Sequence, residues 1–170
     1  MSKSFAAAAW TLLVAGCTIP GPAPSPPPPA APGTAVLGAT ETRIFRLINA
    51  ERKRQGLPAL AYSSRLDRMA RIQSQNMAYF HKMAHTLPGA SLPTLGSRAM
   101  YAGYPFGRLT ENVAESYPSA ESVVQAWMNS SGHRHNILDA DVVETGIAIS
   151  RSDAGGIYYC QVFGKLLESL

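Results

Sequence analysis

Three residues carry most of the chemical potential of this 170-residue chain: His85, Glu111 and His133. Two imidazoles and a carboxylate form a donor set that suits zinc and similar divalent ions. They are far apart in sequence, so only the fold can bring them together. A second imidazole, His135, sits two positions after His133. The pair would face one way on a strand and diverge on a helix. The spacing is not that of the helical HExxH zinc motif. A serine nucleophile is the weaker alternative, with Ser130 or Ser131 beside His133 and Glu111 as orienter. Neither serine lies in a GxSxG elbow, and Ser130-Ser131-Gly132 reads more simply as a helix end and turn.

The densest polar cluster is Trp127-Met128-Asn129-Ser130-Ser131-Gly132-His133-Arg134-His135-Asn136-Ile137-Leu138. Its apolar residues need a core, and the elements around it must supply one. Ile44, Leu47 and Ile48 recur at helical spacing, with Gly56 and Pro58 as a stop. Leu57 to Tyr62 reads as a short extended piece. Ser64 with Asp67 resembles a capping box for a second helix, striped by Leu66, Met69, Ala70, Gln73, Met77 and Phe80. His81 to Arg108 is rich in Pro and Gly and reads mostly as loop. Leu109 to Ser116 looks extended, and Ser119 is placed to cap a third helix with Val123, Val124, Trp127 and Met128 inward. Thr145–Ser150 and Ile157–Phe163 form a hairpin across Asp153-Ala154-Gly155-Gly156. In its second strand Ile157, Tyr159, Gln161 and Phe163 share one face and Tyr158, Cys160 and Val162 the other. Both faces are largely apolar, so the strand is expected to be covered on both sides. Helices flanking antiparallel strands make an α+β layered domain.

The N-terminal end reads as a targeting segment. Lys3 precedes an apolar run from Phe5 to Val14, too short to span a bilayer. Leu13-Val14-Ala15-Gly16-Cys17 looks like a bacterial lipobox. Residues 1–16 are then a lipoprotein signal peptide, and Cys17 is the lipidated first residue of the mature chain. Each buried methylene of an acyl chain contributes about 0.8 kcal/mol, so two or three chains anchor durably. Residues 17–38 form a tether, because eight of the thirteen prolines fall between Pro20 and Pro32. Extended as polyproline, some twenty residues reach roughly 60 Å from the membrane. The domain proper is expected over residues 39–170. Thr18 lacks the aspartate that retains lipoproteins in an inner membrane, which leans the location toward the outer membrane of the cell envelope.

Composition narrows the partners. Hydrophobic content of 46% is enough for one core, and charged content of 15% is low. The net charge of +4 comes without a long basic run or aromatic ladder, so nucleic acid is not the expected partner. Arg43, Arg46, Arg52, Lys53, Arg54, Arg65, Arg68 and Arg71 make the first two helices basic, either as a solvated face or as a patch for anionic envelope polymers or lipid headgroups. After Cys17 only Cys160 remains, so the domain has no internal disulfide, and Cys160 is expected to be a buried, inert thiol. Composition leaves the oligomeric state open.

These pieces together resemble the CAP superfamily (cysteine-rich secretory, antigen 5 and pathogenesis-related proteins) in its short bacterial SCP-like form. The matching stretches are Asn49-Ala50-Glu51-Arg52, Gly56-Leu57-Pro58-Ala59-Leu60, Met83-Ala84-His85-Thr86 and Glu111-Asn112-Val113-Ala114. The block from Ala126 to Leu138, Glu144-Thr145-Gly146-Ile147-Ala148 and Tyr158-Tyr159-Cys160-Gln161-Val162-Phe163-Gly164 complete the series from about Thr40 to Gly164. The resemblance implies a three-layer α-β-α sandwich with a central, mostly antiparallel sheet. It also implies a groove lined in many relatives by two histidines and two glutamates. His85, Glu111 and His133 fill three of those places, and Ser130 stands where the second glutamate falls. A divalent metal such as zinc would therefore be held weakly, with Asn112, Ser130 and Asn136 as hydrogen bonders behind it. Relatives bind sterols, fatty acids, phospholipids or divalent cations. A small lipid or an envelope component is accordingly an expected ligand of a membrane-anchored, exported binding module. The alternative is a metal-assisted hydrolase of peptide or cell-wall material, with Glu111 as general base and His133 beside it.

Overall fold

The computed structural model describes residues 37–167. The expected signal peptide, Cys17 and nearly all of the expected tether lie outside the described residues, as do residues 168–170.

The chain runs α1 (Ala39–Arg54), β1 (Ala61–Tyr62), α2 (Ser64–Phe80), α3 (Leu95–Ala102), β2 (Phe106–Glu115), α4 (Ala120–Asn129), α5 (Ser131–Leu138), β3 (Glu144–Arg151) and β4 (Ile157–Leu166). The four strands lie in the order β1-β3-β4-β2. β1 runs parallel to β3, whereas β3–β4 and β4–β2 are antiparallel. β4 is thus a central strand, as its two apolar faces require. The alternation along it divides the core in two. Tyr158, Cys160 and Val162 pack with Leu66, Met69 and Met77 of α2 and Ala99 of α3. Tyr159 and Phe163 pack with Ile44 and Ile48 of α1, Val123 and Trp127 of α4 and Ile137 of α5. Helices therefore cover both faces, which makes the α+β three-layer sandwich.

Several local expectations are corrected. Ser63, not Ser64, is the N-cap of α2, and its side chain makes no cap. Asp67 is instead fully buried, with Oδ2 paired to Arg71 at 3.2 Å. Burial pushes its carboxyl up, opposed by Arg71 and by a hydrogen bond from Tyr62. The stretch expected as loop contains α3. Its cap is a box in which Thr94 and Ser97 bond each other's main-chain N–H groups. The same device, Ser119 with Ser122, starts α4 as anticipated. Ser131 and Gly132 belong to α5, and only Ser130, extended at φ −93° and ψ 124°, makes the corner between α4 and α5.

The basic residues of α1 and α2 do not form one surface, because these helices pack on opposite faces of the sheet. Arg43 pairs with Glu121 at 2.7 Å, and Arg54 pairs with Glu51. Arg52 is not solvated at all. It is 1% exposed, and its guanidinium donates to the carbonyls of Pro58, Ile137 and Asp139 at 2.7–2.9 Å. A buried cation among carbonyls is tolerable because every lone pair it meets is an otherwise unpaired acceptor. The effect is to fix the C-terminal end of α5 to α1.

Candidate functional site

Glu111 sits on β2 opposite Val162, so its side chain projects onto the α2–α3 face, beside Cys160. The next residue, Asn112, faces the α5 side. β2 is the outer strand of the sheet. The two faces meet around its edge, with His85 bonded to Glu111 on one side and the His133 carbonyl bonded to Asn112 on the other. His133 lies close enough to be repelled by charge on His85.

The Glu111 side chain is 2% exposed, and both of its oxygens are occupied. Oε1 is 2.9 Å from His85 Nδ1, and Oε2 accepts from an Arg98 terminal nitrogen at 2.7 Å. The Cys160 thiol donates to Oε2 at 3.4 Å. Burial, with the nearby negative carboxylate, pushes that thiol well up, so it is the inert packing group expected of it. Arg98 is fully buried on α3, and its Nε has no partner among the described residues.

His85 lies in the segment between α2 and α3. Gln73, buried in α2, donates to the carbonyl of the preceding residue, Ala84, and so ties this segment down. The His85 side chain is 58% exposed while its Nδ1 faces the carboxylate. Its pKa is raised, chiefly by the hydrogen bond to Glu111, against desolvation and the Arg98 charge. With Nδ1 engaged, Nε2 is the ring nitrogen turned toward solvent. His133, half-buried on α5, moves the other way. Burial lowers its pKa first and the charge on His85 second.

The α5 side is held by asparagines. Asn112 Nδ2 donates to the His133 carbonyl at 3.1 Å. Asn136 Nδ2 donates to Asn112 Oδ1 at 2.9 Å and to the Glu111 carbonyl at 3.2 Å. Both asparagines therefore tie α5 to β2, through the main chain of Glu111 and His133. Because α5 is helical, His135 diverges from His133 and lines an open cavity of about 410 Å³ with Arg134 and Asp139. Ser130 and Ser131 make no side-chain bond to an imidazole among the described residues, so no serine–histidine couple is assembled.

Among the described residues no group of three or more His, Cys, Asp and Glu is arranged to hold a cation. The donor chemistry explains this. Glu111 has no oxygen to spare and serves as the carboxylate behind His85, an arrangement that fixes tautomer and ring orientation in histidine–metal sites. His85 and His133 remain as the pair that could face a ligand. Arg98, Gln73 and the Cys160 thiol were not legible as site residues. The one signal for Arg98 was the Thr94–Ser97 spacing, which marks a helix start there.

The profile of the cysteine-rich secretory protein family (CAP) matches residues 45–163. YkwD of Bacillus subtilis strain 168 is 35% identical over 129 residues, which are 76% of this chain and 49% of YkwD. The chain thus spans about half the length of that curated relative. The crystal structure of an extracellular protein containing an SCP domain from Bacillus anthracis strain Ames superposes with a TM-score of 0.66 at 30% identity, over 74% of this chain and 40% of that one. An outer surface protein of Borrelia burgdorferi shares the fold at TM-score 0.68 and 22% identity, over 74% of this chain and 92% of that one. The cap-to-strand pieces quoted from the sequence, the two-faced sheet and the profile match agree: this chain belongs to the cysteine-rich secretory protein (CAP) family.

Proposed function

We propose that the chain is an exported binding module, held to the cell envelope through a lipidated Cys17, whose ligand enters the cleft between His85 and His133. One observation carries this reading. His85 is locked from behind by a buried carboxylate while more than half of its side chain is open to solvent. Exposed imidazoles usually move freely, and fixing one at the expense of a buried Glu–Arg pair is a cost that pure folding does not require. A divalent ion such as zinc would be held by the two imidazoles, with water completing its coordination, and therefore weakly. A polar ligand head would use the same two nitrogens. The Borrelia and Bacillus anthracis relatives are named as outer-surface and extracellular proteins, which supports export.

The hydrolase reading is less favoured. A general base needs a free oxygen within reach of water, and both oxygens of Glu111 already accept hydrogen bonds. Calorimetry with zinc at neutral pH tests the binding reading. Heat is expected from the wild type and is lost in His85→Ala and in His133→Ala. Equal heats in all three proteins would remove the cleft as the site.

A further inference from the structure

Half of the main chain of β2 has no strand beside it, and the pairing parity shows which half. Ser116 N–H donates to the Ile157 carbonyl at 2.9 Å, and Val143 N–H donates to the Gly164 carbonyl at 3.0 Å. Odd-numbered residues of β4 therefore bond toward β2 and even-numbered ones toward β3. Opposite Phe163, Gln161 and Tyr159, β2 presents Thr110, Asn112 and Ala114. Leu109, Glu111 and Val113 fall between these, and their main-chain groups point away from the sheet.

Two of the outward carbonyls are covered. Asn136 Nδ2 donates to that of Glu111 at 3.2 Å, and Trp127 Nε1 to that of Val113 at 3.3 Å. Leu109 is different. It is half-exposed, and among the described residues neither its N–H nor its C=O has a partner; the Glu111 N–H has none either. A row of donor, acceptor and donor is left unpaired among the described residues at strand spacing, and half-exposed Leu109 is its solvent-facing part. Sheet proteins usually blunt such an edge with charge, a proline or a covering element. Here the covering ends at the Glu111 carbonyl and does not reach Leu109. At the far end the row is closed by the irregularity between Phe106 and Arg108 and by the Arg108–Asp139 pair at 2.7 Å.

Alternating donors and acceptors at this spacing match the main chain of an extended peptide, and match neither a metal ion nor an apolar tail. We propose that a short extended peptide segment adds to the free edge of β2 at Leu109 to Glu111. The His85 side chain then flanks it on one face of the sheet and α5 with His133 on the other. This rests on the reading of the His85–His133 cleft as the binding site and names its ligand class.

The probe is a fluorescein-labelled heptapeptide of alternating threonine and valine, kept soluble by one glutamate and one lysine. A second copy is N-methylated at alternate residues. Leu109→Pro removes the outward N–H and leaves the bonds to β4 intact. Anisotropy is expected to show binding to the wild type, at least tenfold weaker binding to Leu109→Pro, and a similar loss for the methylated peptide whatever the variant's folding. Hydrogen exchange at the Leu109 and Glu111 amides is expected to slow when the peptide is added. Absence of binding overturns the proposal, as does equal affinity for a folded Leu109→Pro, or slowed exchange accompanied by dimers in sedimentation. Zinc heats on the same proteins separate the two readings. Zinc bound without peptide leaves the imidazole cleft and removes the strand addition, whereas peptide lost only with the edge, and no zinc heat, does the reverse.

Discussion

Glu111 Oε2 accepts from Arg98 at 2.7 Å where the two side chains are 2% and 0% exposed. A pair so placed is a weak net stabiliser, but breaking it strands a buried charge. Arg98→Met is expected to cost about 3–5 kcal/mol in urea unfolding. Arg98→Met combined with Glu111→Gln should recover much of that loss, because no charge is left behind. A double-variant loss equal to the sum of the two single losses would show that the pair is not coupled.

His85 and His133 should titrate on opposite sides of the ordinary imidazole value of 6.5. His85, raised mainly by its bond to Glu111, binds its proton more firmly when folded. Its contribution to stability is full below 6.5 and disappears as pH climbs through the raised folded value. His133, lowered by burial and by His85, releases its proton more easily when folded. It favours the unfolded chain as pH falls from 6.5 through its lowered value. NMR titration of the ring protons should find His85 above His133. Glu111→Gln should lower His85, and His85→Ala should raise His133. The reverse order would refute the assignment.

Gly146 on β3 lies against the first turns of α2. A Cβ there would stand 1.9 Å from the Asp67 amide nitrogen and 2.2 Å from the Leu66 carbonyl carbon. Both contacts are main chain, which cannot swing aside. Gly146→Ala is expected to destabilise by about 3 kcal/mol or more, or to prevent folding. A change within 0.5 kcal/mol, a roughly neutral substitution, would mean that α2 slides freely on the sheet.

Asn136→Ala removes the donor to both Asn112 and the Glu111 carbonyl. About 1–3 kcal/mol should be lost, since buried acceptors are left unmet. Zinc heat at the cleft should fall with it, because Asn112 no longer holds the His133 carbonyl in register. The exposed Asn129→Ala serves as control and should leave both unchanged.

The sheet and its two cores were legible because β4 alternates strictly. Tyr159 and Phe163 against Cys160 and Val162 state both faces in one strand. The N-cap of α4, Ser119, was equally plain. What stayed hidden depends on contacts between distant segments. Pro93, Gly96 and Gly103 read as breakers and hide α3 with its Arg98, although the Thr94–Ser97 pair is present. Arg52 read as a surface cation, since no local pattern reveals that the carbonyls of Ile137 and Asp139 will fold back to meet it. The proposed site was half legible: His85 and Glu111 stand out in the sequence, but only the third dimension shows that they bond each other and that Arg98 takes the other carboxylate oxygen.

Ser130 ends one helix and begins the next, with nothing between them. That corner has no slack. One residue added there would turn every side chain of α5 by about 100° and carry His133 out of the cleft. An added residue at this junction is therefore expected to disturb α5 more than a change of residue type there. The exposed turn at 152–156, which joins β3 to β4, is where an added residue is expected to cost least.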